Sequence, residues 1–277
     1  MNHPPEIAKL YIEAGTRKAR LSIPKMIVLS IYGGFFISSG ALCSLACSFR
    51  MSGGDARFYN GLVFPIGLML VLCAGAELFT ENCLMVIPLF CRQISISEML
   101  LNWLIVFFGN FIGSLIMAVL VVYGHVTHLF DYSLAQLSVT NAIELSTNGF
   151  GEEFVKGVLG NFCICLAVWL SYGARDLFSK IAALWGPTLL MAACGYEHVV
   201  SNMFYIPAGI FASYEYDLPR PSLNWGRLFY KNLIPVTLGN LIGGAILVGF
   251  GYWYVYLTPN LYGEIVQKPL PITQINK

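Results

Sequence analysis

The stretch Gly75-Ala76-Glu77-Leu78-Phe79-Thr80-Glu81-Asn82 sets a carboxylate, a hydroxyl and an amide inside an apolar segment of membrane-spanning length. Its pattern, Gly-x-Glu-x-x-x-x-Asn, returns at Gly195-Tyr196-Glu197-His198-Val199-Val200-Ser201-Asn202. Each copy runs on into a second apolar piece carrying Ile-Pro, at Ile87-Pro88 and Ile206-Pro207. Backbone groups in hydrocarbon must be hydrogen-bonded, so a glycine-led polar break at that depth is tolerated only where it faces protein or a water-filled path. Two such breaks imply a path.

The surrounding composition agrees. The chain is 57% hydrophobic and 11% charged, with a mean hydropathy of +0.67, which is far too apolar for a soluble domain and predicts a polytopic membrane protein. A net charge of +1 without a dense basic run gives no reason to expect a nucleic acid partner. The eight cysteines lie in or beside apolar segments without CxxC spacing, and read as small buried apolar residues rather than metal ligands or disulfides.

Residues 1–24 form an N-terminal segment in which Ile7, Leu10, Tyr11 and Ala14 recur at helical spacing, predicting an interfacial amphipathic helix over residues 6–19. Residues 25–258 read as a six-span domain, and residues 259–277 as a cytoplasmic tail. The spans fall near residues 25–49, 58–90, 98–123, 153–172, 181–213 and 228–257. The second and fifth are broken at the two motifs, resuming near Cys83 and Met203. Between the halves, residues 125–151 read as a polar connection without Lys or Arg.

The third and sixth spans share Gly-Asn-x-Ile-Gly, at Gly109-Asn110-Phe111-Ile112-Gly113 and Gly239-Asn240-Leu241-Ile242-Gly243. Two matches in the same order predict an internal duplication, with repeats at residues 25–124 and 152–258. Three spans per repeat is an odd number, so the copies are inverted and a ligand path is expected where the broken helices meet. The fold class is therefore an all-α membrane protein of two inverted three-helix repeats. The distribution of Lys and Arg puts both termini in the cytoplasm, and the protein in the cell (inner or plasma) membrane.

These residues resemble the formate/nitrite transporter family over nearly the whole chain. The resemblance is carried by Gly75-Ala76-Glu77-Leu78-Phe79-Thr80, by Asn161 to Trp169, by Gly195-Tyr196-Glu197-His198 with Asn202-Met203-Phe204, and by Asn232-Leu233-Ile234-Pro235 with Gly239-Asn240. It implies a homopentamer of aquaporin-like protomers, each with its own pore for small monovalent anions, formate first. Nitrite and hydrosulfide stand close behind, and a pore for another small solute such as lactate, acetate or ammonium is the alternative. His198 matches the family's central pore histidine and Thr80 its polar loop residue. Asn161 and Asn240 match amides near the pore, and Asn202 groups with them. Phe64 and Leu68 match an outer apolar constriction, Leu78 belongs to the mobile loop, and Met191 stands at the inner constriction. One position departs from the family: where a lysine is common before span four, this chain has Leu145 beside Glu144, with Lys156 further on.

The chemistry of these residues bears on the roles so implied. A charged imidazolium at depth is costly, and an approaching anion offsets that cost, so His198 is a candidate to share a proton with the permeant species. The bland alternative is a neutral ring bonded to loop backbone. Glu77 and Glu197 stand beside new helix starts and read as structural groups that accept free backbone N–H bonds, with proton carriage the alternative. Thr80 either donates to an anion or bonds back to the preceding turn. Asn161 and Asn240 either hold the broken helices or touch substrate. Phe64, Leu68, Leu78 and Met191 would exclude water and hydrated ions if they form rings. His3, His125 and His128 fall outside the spans, so no bis-histidine haem site, cofactor or enzymatic centre is expected.

Overall fold

The computed structural model describes residues 1–258, so the expected tail of residues 259–277 lies outside it. The regular structure of the described residues is helical throughout. Helix α1 (Pro4–Ala19) buries Ile7, Ala8, Tyr11, Ala14 and Gly15, which keeps Ile7, Tyr11 and Ala14 of the expected stripe while Leu10 is exposed. That stripe docks on protein: the Tyr11 hydroxyl donates to the Glu81 carbonyl at 3.2 Å, and a Cβ on Gly15 would stand 2.8 Å from the Pro88 ring.

Helix α2 (Ile23–Ser48) is the first span, and α3 (Gly53–Gly75) with α4 (Phe79–Phe90) the second. The last turn of α3, Leu70–Gly75, is π-helical. Helix α5 (Ile96–Tyr123) is the third span and α7 (Phe150–Gly173) the fourth, with α6 (Ser133–Thr147) between them. Helices α8 (Leu177–Ala193) and α9 (Val199–Glu215) form the fifth span, and α10 (Trp225–Leu257) the sixth. By length and apolarity α2, α3, α5, α7 and α10 can each cross a bilayer, and the α8–α9 pair supplies the remaining crossing. The chain is thus a multi-pass membrane protein.

Three expectations need correcting. Residues 125–151 are not an open polar connection, because α6 occupies most of them. It buries Leu134, Ala135, Ser138, Val139, Ala142, Leu145 and Ser146, a helical stripe whose serines hide it from a hydropathy reading. The second halves of the broken spans begin at Phe79 and Val199, not near Cys83 and Met203. Distant side chains receive the first N–H groups of those helices and let them start earlier. Not all cysteines are buried, since Cys47, Cys73 and Cys194 are exposed.

The duplication is visible in the packing. A Cβ on Gly33 would strike the Glu77 carbonyl, and one on Gly160 the Glu197 carbonyl. Likewise Gly113 abuts the Ile31 carbonyl and Gly243 the Val158 carbonyl. Helices cross this closely only through small residues. Gly243→Ala is expected to destabilise the protein by about 1–3 kcal/mol through overpacking. Gly251→Ala, which meets nothing within 4 Å, is expected to leave thermal unfolding in detergent unchanged, and equal melting of the two variants would refute the contact.

Candidate functional site

At Gly75 the chain adopts φ +93°, and at Gly195 φ +70°, a region that favours glycine and lets each helix end abruptly. The first residue after each glycine closes the preceding helix, Ala76 N–H donating to the Val71 carbonyl and Tyr196 N–H to the Met191 carbonyl at 3.0 Å, and the segments that follow are held in the same way. The Glu77 N–H donates to the Leu29 carbonyl at 3.1 Å, and the Glu197 N–H to the Lys156 carbonyl at 3.1 Å. Asn110 accepts the Phe79 N–H on Oδ1 at 2.9 Å and donates Nδ2 to the Glu77 and Ser30 carbonyls at 2.9 and 2.7 Å. Asn240 accepts the Val199 N–H at 3.0 Å and donates to the Glu197 and Gly157 carbonyls at 3.0 and 2.7 Å. Each amide therefore spends its oxygen and both its hydrogens on backbone, which fixes the break and starts the next helix. Asn240 is an anchor of the loop, and Asn110 is its counterpart.

Glu77 and Glu197 structure the loops, but not by accepting free backbone N–H groups. Asn82 Nδ2 donates to Glu77 Oε2 at 2.7 Å and to Asn102 Oδ1 at 2.8 Å. Asn202 Nδ2 donates to Glu197 Oε2 at 2.7 Å and to Asn232 Oδ1 at 2.9 Å. Asn102 reaches on to the Lys18 carbonyl at 3.3 Å, and Asn232 to the Leu145 carbonyl at 3.1 Å. Lys18 and Leu145 thus hold equivalent places in the two repeats, as do α1 and α6. Their side chains differ in effect. Lys18 Nζ lies 3.0 Å from Glu77 Oε1 and 3.2 Å from Glu81 Oε1, whereas Leu145 offers Glu197 no charge. Burial by itself would push the Lys18 ammonium down, but the Glu81 and Glu77 carboxylates outweigh it and hold Lys18 above the ordinary lysine range. On the second side Asn232 Nδ2 donates instead to the buried Glu153 at 2.8 Å.

The two half-helix starts meet at Thr80 and His198. Thr80 Oγ1 lies 2.8 Å from His198 Nε2, and the Ser201 N–H donates to His198 Nδ1 at 3.3 Å. With Nδ1 accepting, the neutral ring carries its proton on Nε2 and donates it to Thr80, leaving the threonine hydroxyl hydrogen free to point elsewhere. Both side chains are 0–1% exposed. The Phe64 ring packs edge-on to the imidazole, centroids 6.5 Å apart.

A cavity approaches this pair from each side. The first, of about 390 Å³ on the N-terminal face, is lined by Lys18, Val71, Gly75, Glu81, Tyr172 and Lys180 among others. The second, of about 280 Å³ on the opposite face, reaches Phe64, Met191, Ser201 and Asn202. Glu81 adjoins Thr80 in the chain and Ser201 bonds His198, so the pair stands between the two spaces. Leu68 and Leu78 are fully buried, with Phe64 and Met191 at 2%.

Of the residues read from sequence, His198 and Thr80 are brought into contact. Asn161 joins them through backbone, donating to the Thr80 carbonyl at 3.2 Å and the Asn240 carbonyl at 2.8 Å. Asn202, Glu144 and Lys156 line the second cavity, where Lys156 is paired with Glu152 and lies 3.9 Å from Glu153. Met191 does not sit across from Phe64: both line the second cavity. On the first side the corresponding lining residue is Val71, which apolar pattern alone does not distinguish. The sequence reading missed Asn102, and it gave no site role to Asn232, quoted only for the resemblance, or to Lys18 and Glu81, although each is an ionisable or amide group in or beside an apolar helix, the signal that marks such sites.

Comparison with known proteins gives concordant results. A family model described as "Formate/nitrite transporter" matches residues 5–254. An "Uncharacterized transporter YrhG" of Bacillus subtilis (strain 168) is 40% identical over 261 residues, covering 91% of this chain and 93% of the relative. The "Formate channel BtFdhC" of Bacillus thuringiensis is 36% identical, covering 91% and 95%. A solved "Pentameric formate channel with formate bound" superposes with a TM-score of 0.76 at 30% identity, covering 85% of this chain and 98% of that one.

Proposed function

Because this chain belongs to the formate/nitrite transporter family, we propose that it conducts small monovalent anions, formate first, through a pore in each protomer of a homopentamer. The observation that carries the reading is the Thr80–His198 hydrogen bond at the meeting of two broken helices, with a cavity on either side. Relatives named as formate channels, one of them pentameric with formate bound, support the substrate and the assembly.

The path works by alternating apolar closure and a single polar relay. Phe64, Leu68 and Leu78 exclude water and strip hydrated ions, with Met191 beside Phe64 on the second side and Val71 on the first. An anion arriving at Thr80 meets a hydroxyl whose hydrogen the imidazole does not use, and behind it the Nε2–H of His198. The proton shared along this pair partly neutralises the anion for its passage over the apolar rings. Glu77, Glu197, Asn161 and Asn240 hold the breaks rather than touching the solute, and Asn202 lines the second cavity. Both termini face the cytoplasm, following the excess of Lys and Arg on that side.

Proteoliposomes containing the purified protein are expected to take up formate saturably, with nitrite and hydrosulfide also admitted and ammonium rejected. Uptake no faster than in empty liposomes would refute the reading. Thr80→Val removes the partner of a buried N–H at constant shape, at a cost of about 1–3 kcal/mol. It is expected to reduce formate uptake, whereas Thr80→Ser retains it; equal rates in both variants would remove the hydroxyl from the path.

A further inference from the structure

Four cations line the two cavities, and they differ in how their charge is answered. Lys18 in the first and Lys156 in the second are held by carboxylates. Lys180 in the first and Arg57 in the second have no carboxylate within 4.0 Å among the described residues. Lys180 Nζ instead donates at 2.8 Å to the Leu72 carbonyl, one of those freed where α3 ends at its break. Nη1 of Arg57 occupies the space a Cβ on Gly195 would need, at the end of α8.

The arrangement is reciprocal. Helices α3 and α8 pack closely, with the Cβ position of Gly61 2.9 Å from Ala193 Cβ and from the Leu189 carbonyl. They run in opposite directions, so the start of each lies level with the break of the other. Lys180, near the start of α8, reaches the break of α3. Arg57, near the start of α3, reaches the break of α8. Carbonyl ends of helices attract cations, which accounts for where both side chains rest. A neutral carbonyl holds the head group without cancelling its charge, and an ammonium with one of three donors engaged keeps two for a solute.

Building on the anion-pore reading, we propose that Lys180 and Arg57 are the anion-docking groups of the two mouths, each lent by the broken span of the opposite repeat. A small monovalent anion entering the first cavity pairs with Lys180, on a wall that Gly75 and Glu81 also line. An anion entering the second pairs with Arg57 beside Gly195. This assigns the second mouth a cation even though Leu145 leaves Glu197 without a counterpart of Lys18. Glu144 and the paired Lys156 then shape that mouth without supplying its free positive charge.

The test is sided formate uptake into vesicles sorted by orientation through an N-terminal tag. Lys180→Gln is expected to raise the half-saturating formate concentration for entry from the N-terminal face by about three- to tenfold at low salt. The maximal rate is expected to fall less than that, and Lys180→Arg to stay near wild type. Arg57→Gln is expected to act in the same way from the opposite face only, with Arg57→Lys near wild type. Added impermeant salt should shrink both effects. The proposal is overturned if the Gln variants leave half-saturation unchanged, shift it equally from both faces, or lower the melting temperature and maximal rate alone, as a purely structural cap would. Arg57 is exposed, so its variant keeps the test open if Lys180→Gln does not fold. Absence of wild-type uptake would instead refute the anion-pore reading beneath it.

Discussion

Replacing His198 with phenylalanine is expected to lower formate uptake by about 10- to 100-fold, the scale of one hydrogen bond to a charged group. It is also expected to flatten the dependence of uptake on entry-side pH. In the wild type uptake should rise as that pH falls from about 7.5 to about 5, because a proton must join the anion at the imidazole. The geometry sets the ring at the junction itself. Its Nε2 lies on Thr80 Oγ1 at 2.8 Å, its Nδ1 takes the Ser201 N–H at 3.3 Å, and Phe64 covers it from the second side. Phenylalanine fills similar volume and packs against Phe64, so the fold should survive with a stability change of no more than about 1–2 kcal/mol, read as a melting temperature within a few degrees of wild type. Uptake with unaltered pH dependence in His198→Phe would remove the ring from the mechanism.

The largest loss of stability is expected from Lys18→Met. Lys18 bridges Glu77 and Glu81 with 13% of its side chain exposed, against 5% and 2% for the two carboxylates. Lys18 reaches Glu81 at Oε1, and Glu81 Oε2 is buried with no hydrogen-bond partner among the described residues. Taking away the ammonium leaves buried carboxylate charge unanswered, a loss of about 3–5 kcal/mol. For a domain of this size the melting temperature should fall by roughly ten degrees. Adding Glu81→Gln to Lys18→Met should recover part of the loss, since it removes one of the stranded charges. The sign of the pH effect also follows. The folded value for Lys18 is raised, so its contribution is fully present below the ordinary lysine range and disappears only as pH climbs through the raised value. The difference between wild type and Lys18→Met should therefore be constant from about pH 7 to about pH 9. A variant that melts with the wild type, or no recovery on adding Glu81→Gln, would show that α1 is not fastened to the break through this charge.

Much of this was legible in the residues because the constraints are local. Gly75 and Gly195 lead the breaks in the chain itself, and the repeated glutamate and asparagine follow at fixed spacing, so the two interruptions and the duplication could be read directly. The partners that hold them were harder to find. Asn110 was visible only as a member of a repeated motif, and Asn240 only through that motif and the family resemblance, since their hydrogen bonds to Phe79 and Val199 cross between helices far apart in sequence. The same distance explains why the second half-helices were placed a turn too late. Asn102 and Asn232, which extend the amide chain, belong to no shared run of residues. They are nevertheless 130 residues apart, the same offset as Gly109 and Gly239, so the shared motif of the third spans pairs them once its offset is carried back along each helix. Helix α6 escaped because a buried stripe containing Ser138 and Ser146 resembles a polar loop. Met191 was assigned to an inner constriction by the family resemblance alone, and it lines the second cavity together with Phe64.

The most direct test of the whole scheme is a cryo-electron microscopy map of the protein in lipid nanodiscs with formate present. The expected map interrupts the second and fifth spans at Gly75 and Gly195, keeps His198 Nε2 on Thr80 Oγ1, and joins the Lys180-lined and Arg57-lined spaces past that pair. A continuous helix through either glycine, or a passage that joins the two spaces without touching the imidazole, would contradict it.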